Sequence, residues 1–259
     1  MNDLLDALGV TGNTLRQVVA AAIWLSFGSA MIAIAAVQAL FEQAVRASTL
    51  IVAGIVILVW IAWTVWHSHL FAIHRKAYLA AGIPHPYRRA FVRDIFPGIT
   101  VGFSQMLRSA LNGANLEEGH LLPHLAAGSA GRVIQALGMV TFLGAFTLFA
   151  FAWGALGAAR VGFVPEFGDT TLFEPVRRGP YGHVRHPLFW SGIGVSWALA
   201  LVWMTADGLI IAAINTAYGL AYNVLEDRRL VLVLGERYRV YSKEVPHIVP
   251  LRIRGKPAD

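Results

Sequence analysis

Two groups of charged residues flank an apolar stretch in the last third of this 259-residue chain. The first group, RRGPYGHVRHP from Arg177 to Pro187, places several donor side chains at the entry of an apolar run. Pro187 suits the first turn of a helix, where its missing N–H costs nothing. The free N–H groups of that turn, together with Arg185 and His186, would form a seat for a carboxylate or a phosphate.

The second group follows another apolar run and supplies two adjacent carboxylates, Glu226 and Asp227. Because only Asp207-Gly208 separates the runs Pro187–Ala206 and Leu209–Val224, we predict a tight helical hairpin with its turn at that dipeptide. Such a hairpin returns the carboxylates to the side where the first group lies. One pocket would then offer an anion seat and carboxylates, which suits an amino acid or a sulfonium cation.

The composition indicates that the elements around this pocket lie in a membrane. Hydrophobic residues make up 56% of the chain and charged residues 14%, and the mean hydropathy is +0.57. An average soluble domain has roughly 25% charged residues. The net charge of +6 comes from basic segments between apolar runs, which is typical of cytoplasmic loops and not of a nucleic-acid-binding face. The absence of cysteine excludes disulfides, thiolate nucleophiles and cysteine-ligated metals.

The apolar runs predict the architecture. A membrane helix needs about 20 mostly apolar residues, and outside the hairpin such runs occur at Val18–Leu40, Leu50–Ala72 and Val133–Leu156. The segment Ile95–Leu111 is ambiguous because it contains Pro97, Gln105 and Arg108. We therefore predict an all-α polytopic membrane bundle of five or six spans. Residues 1–130 would form N-terminal membrane helices and a polar loop, packed as one unit with a core at 131–259 that ends in a cytoplasmic amphipathic helix from Glu226 to Pro246.

Together the two charged groups resemble the isoprenylcysteine carboxyl methyltransferase and phospholipid methyltransferase superfamily of integral membrane enzymes. Its pattern has GPY-x-x-V-R-H-P, a hairpin, and then E-E-x-x-L followed by G-x-x-Y-x-x-Y-x-x-x-V-P and a last proline. The residues that match in register are Gly179, Pro180, Tyr181, Val184, Arg185, His186, Pro187, Glu226, Leu230, Gly235, Tyr238, Tyr241, Val245, Pro246 and Pro250.

Four positions depart from this pattern. Phe189 replaces the usual Tyr, so no hydrogen bond is carried over there, and Ser191, Asp227 and Leu234 replace Gly, Glu and Phe. The match covers roughly 70 residues. In the N-terminal half, His67-Ser68 faintly resembles the related methanethiol S-methyltransferase and NnrU-like branch.

The resemblance implies S-adenosylmethionine as cofactor, a cytoplasm-facing site, and methyl transfer to a lipophilic acceptor: a phospholipid amine, a lipophilic carboxylate or a thiol. Arg185 and Glu226 are the candidate catalytic residues: Arg185 would orient a carboxylate or phosphate of the substrate, and for an amine or thiol acceptor a carboxylate such as Glu226, or a histidine, would act as the base. Membrane lipids are expected partners, and neither nucleic acid nor a metal is expected. The cofactor would be held by Gly179, Tyr181, Val184, Arg185, His186, Pro187, Glu226 and Asp227, with the two carboxylates toward its ammonium or ribose side.

An alternative is a non-enzymatic membrane protein of the same fold, NnrU-like, associated with haem or quinone metabolism. His67 and His74 are seven residues apart and share a helical face, whereas His69 points elsewhere, so the first two are candidate ligands. A polar loop also contains residue types that bind metals, although no helical spacing orders them: Glu117, Glu118, His120 and His124.

Overall fold

The computed structural model describes residues 1–45, 49–112, 128–168 and 173–247, and these residues are predominantly helical. The all-α prediction is confirmed for this part of the chain. The polar loop with its four candidate metal ligands, Glu117, Glu118, His120 and His124, lies outside the described residues.

The N-terminal half consists of long helices joined by short ones. The segment Ile95–Leu111, whose character the sequence left open, is mostly helix and packs against α2 and the C-terminal hairpin. The elements are α1 (Asn2–Ala7), α2 (Asn13–Val45), α3 (Thr49–Ala80), α4 (Pro86–Ala90), a π-helical turn (Phe91–Ile95) and α5 (Phe96–Asn112).

The C-terminal half contains the hairpin and the segments that pack against its end. The stretch between Gly157 and Pro187, which contains no long apolar run, has three short helical segments among its described residues. The elements are α6 (Ser129–Leu156), α7 (Ala158–Val161), 3-10 turns at Val164–Glu166 and Gly179–Gly182, α8 (Pro187–Trp203), α9 (Ala206–Leu234) and α10 (Glu236–Glu244).

The hairpin is present, but its turn lies earlier than the sequence predicted. Met204 ends α8 in the left-handed region, with φ 51°. The hydroxyl of Thr205 then accepts a hydrogen bond from the Gly208 N–H at 3.1 Å, which caps the next helix. Asp207-Gly208, although typical of turns, therefore lies in the first turn of α9.

Helix α9 also runs further than predicted. It continues past Val224 to Leu234 and carries Glu226 and Asp227 on its last turns. Gly235, with φ 61°, ends α9 and begins α10. The single amphipathic helix expected from Glu226 is thus two segments, and the sharp bend lets α10 fold back toward the start of α8.

Small residues bring α6 and α8 into close contact. The buried residues of α6 recur every seventh position at Gly131, Gly138, Ala145 and Ala152. A Cβ on Gly138 would lie 2.9 Å from the Ala198 carbonyl oxygen, so the backbones approach too closely for any larger residue. Packing through small residues is typical of helices in lipid, where apolar burial gives little driving force.

Three helical segments of the described residues are long and apolar enough to cross a membrane: Asn13–Val37, Ser129–Leu156 and Gly208–Leu234. Large apolar side chains on α6, among them Leu137, Val140 and Phe151, are exposed on the protein surface. Such faces suit lipid. The structure therefore supports the membrane character of the chain, while the count of five or six spans stays a prediction.

Candidate active site

A cavity lies where the end of the α8–α9 hairpin meets the segment after α6. It contains about 840 Å³ of empty space, including its open mouth, and its wall is mostly apolar. Both charged groups of the sequence contribute to this wall. The predicted site residues that line it are Tyr181, Arg185, His186 and Glu226.

Hydrogen bonds connect the turn before α8 to α10 and to the residues that follow it. Tyr241 donates its hydroxyl to the Tyr181 carbonyl oxygen at 2.8 Å, and the Arg185 N–H donates to the Pro246 carbonyl at 3.1 Å. Burial raises the pKa of Tyr241, so its hydroxyl keeps its proton and remains a donor. Gly182 has its own constraint, since a Cβ there would lie 2.7 Å from the Arg177 carbonyl oxygen.

Asp227 is the centre of a hydrogen-bonded network behind the cavity wall. Its carboxylate accepts from an Arg185 guanidinium nitrogen at 2.5 Å, from His186 Nε2 at 2.6 Å and from the Tyr238 hydroxyl. His186 is 5% exposed and Asp227 20%. This network ties the start of α8 to the end of α9, and it leaves Arg185 paired with a carboxylate of the protein itself.

Glu226 faces the cavity and belongs to a different network. Arg229 donates to both of its carboxylate oxygens, through Nε at 2.9 Å and through a terminal nitrogen. The same guanidinium pairs with Glu166, which is 5% exposed, and lies 4.2 Å from the centroid of the Phe163 ring. Arg75 of α3 donates to the Glu166 main-chain carbonyl at 2.8 Å. The site is therefore anchored to the N-terminal helices as well.

The remaining predicted residues shape the site from outside the cavity lining. Gly179 takes φ 59° at the turn, the Val184 N–H donates to the Pro180 carbonyl, and Pro187 is buried in the first turn of α8. The sequence did not single out three cavity-lining residues, Arg160, Glu166 and Arg229. Arg229 had a usable signal, because it lies three residues after Glu226 on the same helical face.

His186, Asp227 and His247 resemble a metal site in outline, since one ligand atom of each lies within 4.8 Å of the others. However, the Arg185 guanidinium already neutralises Asp227. His247 Nε2 lies 3.8 Å from the Asp227 carboxylate, beyond hydrogen-bond distance, and burial lowers the pKa of this histidine. We therefore assign His186 and Asp227 to the network that fixes the turn, with His247 beside it.

The two candidate histidine ligands of α3 are engaged with the π-helical turn. His67 Nε2 donates to the main-chain oxygen of Asp94 at 2.6 Å, and His74 Nδ1 donates to its carboxylate at 2.7 Å. Asp94 is 4% exposed. Both rings therefore have a structural role between α3 and the turn, and neither nitrogen used for it is available to a haem iron.

Curated proteins with similar sequences have one name in common. The chain is 37% identical over 70 residues to a methanethiol S-methyltransferase from Crocosphaera subtropica, covering 27% of each chain. It is 38% identical over 72 residues to methanethiol S-methyltransferase 1 of Bradyrhizobium diazoefficiens, covering 28% of this chain and 25% of the relative. It is 32% identical over 117 residues to the enzyme of Pseudomonas deceptionensis, covering 40% and 44%.

The resemblance to the membrane methyltransferase superfamily, in its methanethiol S-methyltransferase branch, is confirmed over part of the chain. The matches span between a quarter and less than half of the length of these relatives. No protein-family model matches the chain. No solved structure matches it significantly.

Proposed function

We propose that this protein is an integral membrane, S-adenosylmethionine-dependent methyltransferase that methylates a small lipophilic thiol. The observation that carries the proposal is the cavity in which Tyr181, Arg185 and His186 of the first charged group meet Glu226 of the second. Among the acceptors that the sequence left open, an amine, a carboxylate or a thiol, the names of the relatives favour the thiol.

The lining of the cavity fits the proposed cofactor, which has a nucleoside, a sulfonium and an amino-acid end. Aromatic rings at Phe163, Phe173 and Phe189 provide flat surfaces of the kind on which a base stacks. Glu226 provides a carboxylate for an ammonium group. In addition, the Nε of Arg185 is buried and has no hydrogen-bond partner among the described residues. A buried polar atom of this kind usually pairs with a water or a ligand.

The bound cofactor would supply an activated methyl group on a sulfonium sulfur. The protein residues would hold the acceptor sulfur in line with that methyl and keep water out, which is most of what a displacement of this kind requires. In the reaction the acceptor sulfur forms a bond to the methyl carbon while the bond from that carbon to the sulfonium sulfur breaks. Glu226, on the cavity wall, is our candidate to accept the thiol proton.

The membrane setting would serve an apolar acceptor. Helix α9 carries the site on its last turns and is one of the helices apolar enough to cross a membrane. A lipophilic thiol dissolved in the bilayer could then approach from the side, while the polar cofactor enters from the cytoplasm. This division would place the mouth of the cavity at the cytoplasmic membrane boundary.

Binding and turnover on detergent-purified protein test the proposal. Isothermal titration with S-adenosylhomocysteine should give a saturable signal, and labelled S-adenosylmethionine with methanethiol should yield dimethyl sulfide. Phosphatidylethanolamine and a prenylated cysteine serve as amine and carboxylate acceptors for comparison. Methylation of either compound in place of methanethiol would refute the proposal that the acceptor is a thiol. Failure of both nucleosides to bind at millimolar concentration would refute the enzyme and favour the non-enzymatic alternative.

A further inference from the structure

The cavity contains an arginine that neither charged group of the sequence includes. Arg160 is the third residue of the four-residue helix α7, directly after the bend at Gly157. Its side chain is partly buried and lines the cavity, and its guanidinium carbon lies 5.8 Å from the centroid of the Phe173 ring, which also lines the cavity. This distance is at the outer limit of a cation–π contact, and the contact leaves the N–H groups of the guanidinium for hydrogen bonds.

The other arginines that line the cavity are already paired with carboxylates. Arg185 donates to Asp227 at 2.5 Å. Arg229 pairs with both Glu226 and Glu166. With one guanidinium against one carboxylate, the first pair is formally neutral.

The second pair contains an extra carboxylate, but Arg75 compensates for it. Arg75 donates to the main-chain carbonyl of Glu166 and so brings a second positive charge to this cluster. At the mouth, Glu174 is paired with Arg237.

Arg160 differs from these arginines. Within the ranges that the structure describes, it has no hydrogen bond or ion pair with a protein group, and its guanidinium lies over the Phe173 ring. Of the arginines that line the cavity, Arg160 is therefore the one without a carboxylate partner among the described residues. An arginine with a free edge in a partly enclosed, largely apolar cavity is suited to bidentate binding of a carboxylate.

We propose that Arg160 binds the carboxylate at the amino-acid end of the methyl donor. This inference rests on the proposed function. The sequence placed the anion-binding group at Arg185 and His186, but Asp227 already accepts hydrogen bonds from a terminal nitrogen of Arg185 and from His186 Nε2, so we assign the carboxylate to Arg160 instead.

Two probes that differ in that end alone test the assignment. S-adenosylhomocysteine has the carboxylate, and 5′-methylthioadenosine has the same nucleoside and thioether without it. In titrations, Arg160→Gln should weaken S-adenosylhomocysteine by about 10- to 100-fold, the loss expected for a charge-assisted hydrogen bond. The affinity for 5′-methylthioadenosine should stay the same. Arg160→Lys keeps the charge without the bidentate geometry and should give an intermediate loss.

Arg239→Gln is the matched control, because it removes one positive charge from an exposed pair on α10 that does not line the cavity. It should leave both affinities unchanged. An equal loss of both probes in Arg160→Gln, or no loss of either, would overturn the assignment while the proposed function stands. If the wild-type protein binds neither probe, the proposed function fails and the assignment fails with it. If Arg160→Gln does not fold, Arg160→Lys tests the assignment through the same comparison of the affinities for S-adenosylhomocysteine and 5′-methylthioadenosine.

Discussion

Replacing Asp227 with Asn is the most direct test of how the site is held together. The carboxylate accepts hydrogen bonds from Arg185, His186 and Tyr238, and it is the charge partner of the guanidinium. Asparagine has nearly the same shape as aspartate but carries no charge. Its NH₂ group is itself a donor and cannot accept the hydrogen bonds that one carboxylate oxygen accepts in the wild type. Burial raises the pKa of Tyr238 and does so in the variant too, so the tyrosine cannot adapt by losing its proton.

The expected loss follows from burial. Breaking a buried ion pair by removing one partner costs about 3–5 kcal/mol. Asp227 is 20% exposed and Arg185 18%, so water reaches the pair and the lower end, about 3 kcal/mol, applies. For a chain of this size each kcal/mol lowers the Tm by roughly 2–4 °C, which gives a decrease of roughly 6–12 °C. Tyr238→Phe removes one of three donors to the carboxylate and should cost about 1.5 kcal/mol, the low end for a hydrogen bond to a charged group.

Thermal unfolding in detergent, followed by tryptophan fluorescence, measures both variants, and titration with S-adenosylhomocysteine shows whether the turn still binds ligand. Glu244→Gln is the control, because its pair with Arg177 is half exposed on both sides and should contribute less than about 1 kcal/mol. If Asp227→Asn unfolds with the wild-type midpoint, or if Tyr238→Phe costs as much, Asp227 is not the centre of the network.

Three further predictions concern neighbouring contacts. Arg229→Lys loses the two-point contact with Glu226. Titration should then show that S-adenosylhomocysteine binds about tenfold more weakly, a loss of ~1.4 kcal/mol in binding free energy. An unchanged affinity would contradict the role of Arg229 in positioning Glu226. Because the pKa of His247 is lowered, the unfolded chain binds its proton first as the pH falls below about 6.5. The free energy of unfolding should therefore decrease from there down to the lower folded pKa, and His247→Gln should lack this part of the decrease; parallel curves would refute it. In Gly98→Ala the new Cβ would lie 2.3 Å from the His67 ring, so unfolding measurements should show a loss of about 1–3 kcal/mol, and wild-type stability would show that the ring moves freely.

Local patterns in the sequence predicted most of the hairpin. The two apolar runs and Pro187 specify α8 and most of α9 through hydropathy and first-turn chemistry alone. The turn was misplaced because two local signals compete over four residues. Asp207-Gly208 favours a turn, but Thr205 caps a helix, and the capping hydrogen bond to Gly208 stabilises the helical alternative.

The part of the site contributed by the 157–176 segment could not be predicted in this way. Glu166 is buried because Arg75 and Arg229 reach it, and Arg75 is 91 residues away in the chain. The sequence around Glu166 does not predict that two arginines bind it, since an isolated glutamate between apolar residues is usually exposed. The same holds for Arg160, whose isolation from carboxylates is a property of the folded cavity.

Helix geometry explains why the adjacent carboxylates take different roles. The resemblance implied that Glu226 and Asp227 face the cofactor together, yet successive residues of an α-helix point about 100° apart. If Asp227 points toward His186 and Tyr238 of the turn and α10, then Glu226 must point away from them, and it lies on the cavity wall beside Arg229. One carboxylate therefore fixes the turn while its neighbour remains available to a ligand. Because the Asp227 side chain has to fit between three donors, lengthening it to Glu should disturb the turn, although the superfamily usually has Glu at this position.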